Sequence, residues 1–258
     1  MTVIRRGKGF RLFILSAVVV LLLILLAEII WDFVLSPGLV IRSITLESDL
    51  GLSDGQLLEM LGLDGETWAD LDEKRIQDRL ESYPVVRKAR VVKVFPDTLH
   101  LYIYRRRPLA AALIDDKGKP VPAVFDKEGY VVQIGTGSEP LSLPVLSGPR
   151  FTEPSLGSRL PESIRSILED LSELRSEDPQ SFALISEIKI IPHGREGYDL
   201  KLYMNHVPIP IMVDRSLTVE TVRQAVLVLD VLAAGSNGKV EEADMRGGHV
   251  VYRSVEGG

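Results

Sequence analysis

From Leu12 to Ala27 the chain carries no charge, and Ser16 is its only polar side chain. Glu28 interrupts the run, and Ile29, Ile30, Trp31, Phe33, Val34 and Leu35 extend it. Residues 12–35 thus supply the ~20 mostly apolar residues that a spanning helix needs, with Glu28 and Asp32 near the far headgroups. Trp31 suits that border, because indole rings favour the interface. Arg5, Arg6, Lys8 and Arg11 precede the span and acidic residues follow it. The positive-inside rule therefore predicts a cytoplasmic N-terminus and an exported remainder. The apolar run exceeds the ~7–15 residues of a cleaved signal and no small-x-small site follows it, so an uncleaved anchor is expected.

After the span the pattern changes to short elements. Residues 39–47 alternate apolar and polar positions, Ile44 and Leu46 against Ser43 and Thr45, which predicts a half-buried strand. Ser53 and Gln56 form a Ser-x-x-Gln capping box, with Leu57, Leu58 and Leu61 on one face of a short helix. Asp70-x-x-Glu73 marks a second helix start, Ile76, Leu80 and Tyr83 follow at helical spacing, and Pro84 ends it. Residues 85–107 then read as a hairpin: Leu99, Leu101 and Ile103 alternate with Thr98, His100, Tyr102 and Tyr104. Pro96 and Asp97 suit the two central positions of a type I turn. The order predicted over 38–107 is β-α-α-β-β, a three-stranded sheet with two helices on one face.

Residues 108–253 read as a second, β-rich domain with flanking helices, and 254–258 as a tail. Turn signals at 115–118, 127–129 and 135–137 break 109–146 into hairpins. Ile164, Ile167, Leu168, Leu171 and Leu174 predict a helix over 161–175, with Pro161 at its first position. A strand pair spans His193–Gly197. Pro208 and Pro210 share parity, so their strand either lies at an edge or ends a ladder. A long helix is predicted over 216–234 with Val219, Val222, Val226, Leu229 and Ala233 buried and Gly235 as its cap. Two short strands around Gly247-Gly248 close the chain. The fold class is α+β behind a single transmembrane helix.

Charge narrows the possible partners. The whole chain carries −6, and without the four tail cations, Glu28 and Asp32 the residues 36–258 carry −8. An acidic, exported body is not a nucleic-acid binder. The absence of cysteine removes disulfides and thiolate metal sites. His100, His193, His206 and His249 each lack a second ligand at helical spacing, and no metalloprotease, phosphate-loop or nucleophile-elbow motif occurs. Neither catalysis, a metal nor a cofactor is expected. What remains is surface for other proteins, since a sheet edge can accept a partner's strand. Arg87, Lys88, Arg90 and Lys93 on the first hairpin strand fit that use, and fit equally well as charges that keep an edge from aggregating.

The stretch Pro84 to Leu99, the Arg-Arg-Pro-Leu-Ala of Arg106 to Ala110, and the Ala-Asp-Met-Arg of Ala243 to Arg246 ahead of a last strand resemble the FtsQ/DivIB family of bacterial cell-division proteins. The resemblance covers nearly the whole chain and implies a POTRA-like domain at 38–107. It further implies a non-enzymatic scaffold at the division septum, linking early and late division proteins and helping control septal wall synthesis. Its partners would be the small coiled-coil proteins FtsB and FtsL and other divisome membrane proteins. On this resemblance the partner-binding residues of the last strand are Met245, Arg246, Val250, Val251, Tyr252 and Arg253, and those of the POTRA edge are Arg87, Arg90 and Val92. Two positions depart from the family. Arg105 stands where an acid usually precedes the Arg-x-Pro, which removes one partner of a salt bridge at the domain joint. The hairpin at 198–213 carries Met204-Asn205-His206 and two prolines in place of a glycine turn.

Overall fold

The computed structural model describes residues 7–30, 41–51, 53–63, 67–68, 70–116, 118–135, 142–148, 155–193, 197–235 and 240–254. Two compact units divide the chain, Met1–Arg105 and Arg106–Gly258. In the first, α1 (Gly7–Ile30) is one continuous helix. Its stretch Leu12–Ile30 has a mean hydropathy of 3.1 and is unburied among the described residues. Such a surface is stable in lipid and not in water. The expected continuation of the span to residue 35, including Trp31, lies outside the described residues.

The rest of this unit follows the predicted order: β1 (Ser43–Ser48), α2 (Asp54–Leu61), α3 (Glu73–Glu81), β2 (Val86–Val94) and β3 (Thr98–Arg105). The strands lie in the order β1-β3-β2, with β1 parallel and β2 antiparallel to β3. Leu57, Leu61, Ile76 and Leu80 from the helices pack on Ala89, Val91, Leu99, Leu101 and Ile103 from the sheet. The capping box forms as read: Gln56 N–H donates to Ser53 Oγ, and Ser53 N–H to Gln56 Oε1 at 3.1 Å. Leu58 does not join the core; Met60 takes its place, because Leu57, Met60 and Leu61 at i, i+3 and i+4 share one helix face and Leu58 lies off it. Helix α3 is capped by Asp72, which accepts from Lys74 and Arg75 N–H, while Asp70 is bound to Thr67. The hairpin turn also differs from the expectation. Val94 pairs with Thr98, so three residues make the turn, and the Phe95–Pro96 peptide is cis.

The second unit holds β4 (Ala110–Asp116), β5 (Lys119–Phe125), β6 (Val131–Ile134), β7 (Val145–Ser147), α4 (Glu162–Glu177) and α5 (Pro179–Leu184). Then follow β8 (Ile185–His193), β9 (Gly197–Met204), β10 (Ile211–Val213), α6 (Val219–Gly235), β11 (Val240–Asp244) and β12 (Val251–Ser254). All nine strands form one mixed sheet in the order β12-β11-β10-β9-β8-β7-β4-β5-β6. Ile167, Leu168, Leu171 and Leu174 of α4 and Val222, Ala225 and Leu229 of α6 meet Ile188, Leu200, Leu202 and Ile211 in a single core. The outward face carries polar side chains such as Lys189, Asp199, Lys201 and Glu242, as expected of a sheet covered on one side only.

One expectation is narrowed and one changes in this unit. Strand β10 is not an edge: it lies between β9 and β11, and its ladder begins only after Pro210, whose carbonyl accepts Ala243 N–H at 3.0 Å. The prolines therefore end the ladder, the second of the two readings. In α6 the buried stripe runs through Val222, Ala225 and Leu229, while Ala233 is exposed.

Candidate functional site

Each sheet has two edges, and what the outermost strand carries decides whether it can take a partner. At one end of the nine-stranded sheet, β6 is covered by its own chain at its first residue: Val131 N–H donates to Ser158 C=O and Gly157 N–H to Val131 C=O, both at 2.9 Å. At the other end lies β12. It pairs with β11 on one side, Tyr252 opposite Ala243 and Val251 opposite Asp244, and among the described residues no strand pairs with its other side. All four of its residues are exposed, Val251 at 64% and Tyr252 at 57%, and Val250 just before it is half exposed. An open strand with a row of accessible apolar side chains is the geometry that accepts an added strand.

The approach to this edge is held by charge. Arg246 N–H and Nε donate to Asp244 Oδ1, both at 3.0 Å, and the guanidinium also bonds Asp199 on β9. The hydrogen bonds to Asp244 raise the Arg246 pKa above its ordinary value, against a smaller opposing effect of burial. The same bonds hold the Asp244 carboxyl below the usual carboxylate range. Met245 N–H donates to Met212 C=O at 3.0 Å, and its side chain packs against the core. Gly247 and Gly248 then turn the chain at φ of 70° and 80°, a region that side chains with a Cβ disfavour. Beyond the turn, Arg253 bonds Glu242 at 2.8 Å, and Glu242 also bonds Lys201 at 2.9 Å.

The six residues named for the last strand are therefore divided by the structure. Val250, Val251 and Tyr252 present free apolar surface. Arg253 is exposed but ion-paired within the sheet. Met245 packs against the core, and Arg246 lies half exposed on the outward face, where it ties the approach to β12 to Asp244 and Asp199. Asp199, the distant partner of Arg246, escaped sequence reasoning because 47 positions separate the two.

The edge at β2 is different. Ala89 N–H donates to Glu81 Oε1 at 3.0 Å, and Lys93 N–H donates to Glu73 Oε1 at 2.7 Å. Both amides point away from β3, so carboxylates of α3 occupy positions that an added strand would use. The expectation of an open POTRA edge is corrected to that extent. Arg87 and Arg90 remain exposed and Val92 half-buried, on side chains rather than backbone. One signal was available in the sequence: Glu73, Gln77 and Glu81 recur every four residues, which sets them along one flank of α3.

At the start of the second unit, Arg106 bonds Asp126 at 2.7 Å and Glu128 at 2.9 Å, and its guanidinium lies 3.9 Å from the centre of the Tyr130 ring. Asp126 is only 2% exposed and also accepts the N–H groups of Glu128 and Tyr130. Burial opposes the charge on Arg106, yet the two carboxylates together raise its pKa. An ion cluster built on Arg106 thus stands at this point of the chain, next to Arg105, whose backbone N–H donates to Asp49 Oδ1 at 2.9 Å.

Comparison with known proteins adds the following. Residues 39–105 match the POTRA domain, FtsQ-type. Over 151 residues the chain is 27% identical to the cell division protein FtsQ of Syntrophotalea carbinolica, covering 52% of this chain and 51% of that protein. The match thus spans about half the length of the curated relative. Among solved structures, the major extracytoplasmic domain of the cell division protein DivIB from Geobacillus stearothermophilus aligns over 52% of this chain and 96% of that one. The identity there is 18% and the TM-score 0.31.

Proposed function

We propose, for a chain that belongs to the FtsQ/DivIB family of cell-division proteins, that it acts as a non-enzymatic scaffold anchored in the cell membrane by α1. Its N-terminus lies in the cytoplasm and its two folded units lie outside, at the division septum. It links early and late division proteins and helps control septal wall synthesis. Its partners are FtsB/FtsL-like coiled-coil proteins and other divisome membrane proteins.

One observation carries the choice of site: β12 ends its sheet with every residue exposed, whereas β6 at the far edge exposes none and has its first residue covered by residues 157–158. A partner strand laid along β12 would bury Val251 and Tyr252 and continue the sheet. Val250, Val251 and Tyr252 make contact, and Met245 and Arg246 hold the strand in place. Arg253 lies at the rim. Arg87, Arg90 and Val92 on β2 provide a second surface that works through side chains, because α3 already bonds part of the backbone there.

The test is capture of FtsB/FtsL-like proteins by the full-length chain, compared with its Val250→Asp and Tyr252→Asp variants. The wild type should capture them and both variants should not, with thermal unfolding unchanged. Capture that survives both substitutions would move the interface away from β12. A wild type that captures none would remove the scaffold reading.

A further inference from the structure

Val94, Phe95 and Pro96 at the tip of the β2–β3 hairpin are all exposed, Phe95 at 58%. Three adjacent exposed apolar residues are a fault in a water-soluble surface unless something uses them. Their position in the fold indicates what that is. Arg42 N–H donates to Asp97 C=O at 3.0 Å, so the chain enters β1 beside this tip. Only 12 steps of chain separate Arg42 from Ile30, the last residue of α1. At full extension they reach about 40 Å. Of the two ends of the three-stranded sheet, the tip is thus the one at which the tether from α1 enters, within about 40 Å of the bilayer.

The surrounding side chains have the chemistry of an interface. Trp68 meets Phe95 edge to face at 6.0 Å, and Lys93 Nζ lies 4.4 Å from the centre of the Trp68 ring. Lys93 also donates to Leu71 C=O at 3.1 Å, which fixes the lysine stem over the indole. Aromatic rings with lysine beside them are favoured where acyl chains meet headgroups. The tip region carries the acids Glu73, which bonds the Lys93 backbone N–H, and Asp97 as well as the cations Lys93 and Arg42, so attraction through net positive charge is not the driving force.

We infer that Val94, Phe95 and Pro96 dock into the headgroup zone of the bilayer that α1 crosses. The contact rests on the membrane anchor and is independent of which division protein binds β12. It gives the three-stranded unit a second point of attachment, which restricts how the unit turns on its tether.

The lack of cysteine permits a direct test on the full-length chain in nanodiscs of zwitterionic lipid. Phe95→Cys, Val94→Cys and Tyr104→Cys each receive a polarity-sensitive fluorophore. Tyr104 is a matched control, 55% exposed and six residues along β3 from Thr98, roughly 20 Å from the tip. Labels at 94 and 95 should shift to the blue and lose emission to nitroxide-bearing lipids, while the label at 104 does neither. Labels at 94 and 95 that behave like the one at 104 would overturn the inference. So would shielding of position 95 that appears only after a purified division partner is added, because the tip would then be a protein contact.

Discussion

Arg106 and Arg246 are built alike and placed differently. Each bridges two carboxylates, Asp126 and Glu128 in one case, Asp244 and Asp199 in the other. Each belongs to a short motif that stands out in the sequence. Around Arg106 the cluster is dry at its centre: Arg106 is 11% and Asp126 2% exposed, Tyr130 closes over the guanidinium, and only Glu128, at 32%, reaches water. Around Arg246 it is wet, with 38% of the arginine side chain exposed. The same three groups thus serve two ends. Buried, they are costly to break; half exposed, they orient a strand at modest cost and leave it accessible.

The largest effect should come from the buried cluster. Arg106→Ala leaves Asp126 without its cation in a site that excludes water, and breaking a buried pair in this way costs about 3–5 kcal/mol. Thermal unfolding of the purified chain measures it. Lysine should restore only part, since it lacks the planar fork that reaches both carboxylates and stacks on Tyr130. A loss below about 1 kcal/mol for Arg106→Ala would mean that water already reaches Asp126 and that the two clusters are equivalent.

Arg246→Ala should cost less, about 1 kcal/mol, because water screens Asp244 and Asp199 once the arginine is gone. The change should be local. Amides of β12 and of the Gly247–Gly248 turn should exchange faster, while those of β8 and β9 stay protected. Uniform acceleration through the whole sheet would show that Arg246 supports the core and does not merely position the edge.

Much of this was legible in the sequence, and the failures share one cause. Periodicity located the span, the capping box at Ser53 and the alternation of β3, because each depends on residues a few positions apart. The two arginines were visible as parts of motifs. Their partners were not: Asp126 lies 20 positions from Arg106 and Asp199 lies 47 from Arg246, and only the folded sheet brings them together. The state of the β2 edge was hidden for the same reason, since it depends on how α3 lies along the strand. Whether β10 lay at an edge or only ended a ladder stayed open, because proline spacing says where a ladder stops, not where its strand sits in the sheet.

A smaller effect separates the clusters by pH. Asp244 titrates below the usual carboxylate range in the folded chain because Arg246 bonds it. Its contribution to stability is therefore complete above the unfolded value, about 4, and is lost as pH falls through the lower folded value. Exposure limits that contribution to a few tenths of a kcal/mol. Asp244→Asn should remove it, so the difference in urea midpoint between variant and wild type should shrink as pH falls below about 4. The Asp178 carboxyl, also lowered, chiefly by its bond to Arg223, is common to both chains and cancels. A difference that stays constant across this range would remove Asp244 from the positioning of β12.

The smallest effect on stability belongs to Tyr252, and it is the one that separates contact from support. Its side chain is 57% exposed and lies on an edge with no neighbour beyond it among the described residues. Tyr252→Ala should change the unfolding free energy by no more than about 0.5 kcal/mol, as surface substitutions do. Arg246→Ala should both loosen β12 and weaken partner capture, whereas Tyr252→Ala should weaken capture alone. If Tyr252→Ala destabilises the chain as much as Arg246→Ala does, the ring is already packed against its own sheet. The open edge would then lack its central apolar contact, and the division of β12 into holding and touching residues would fail.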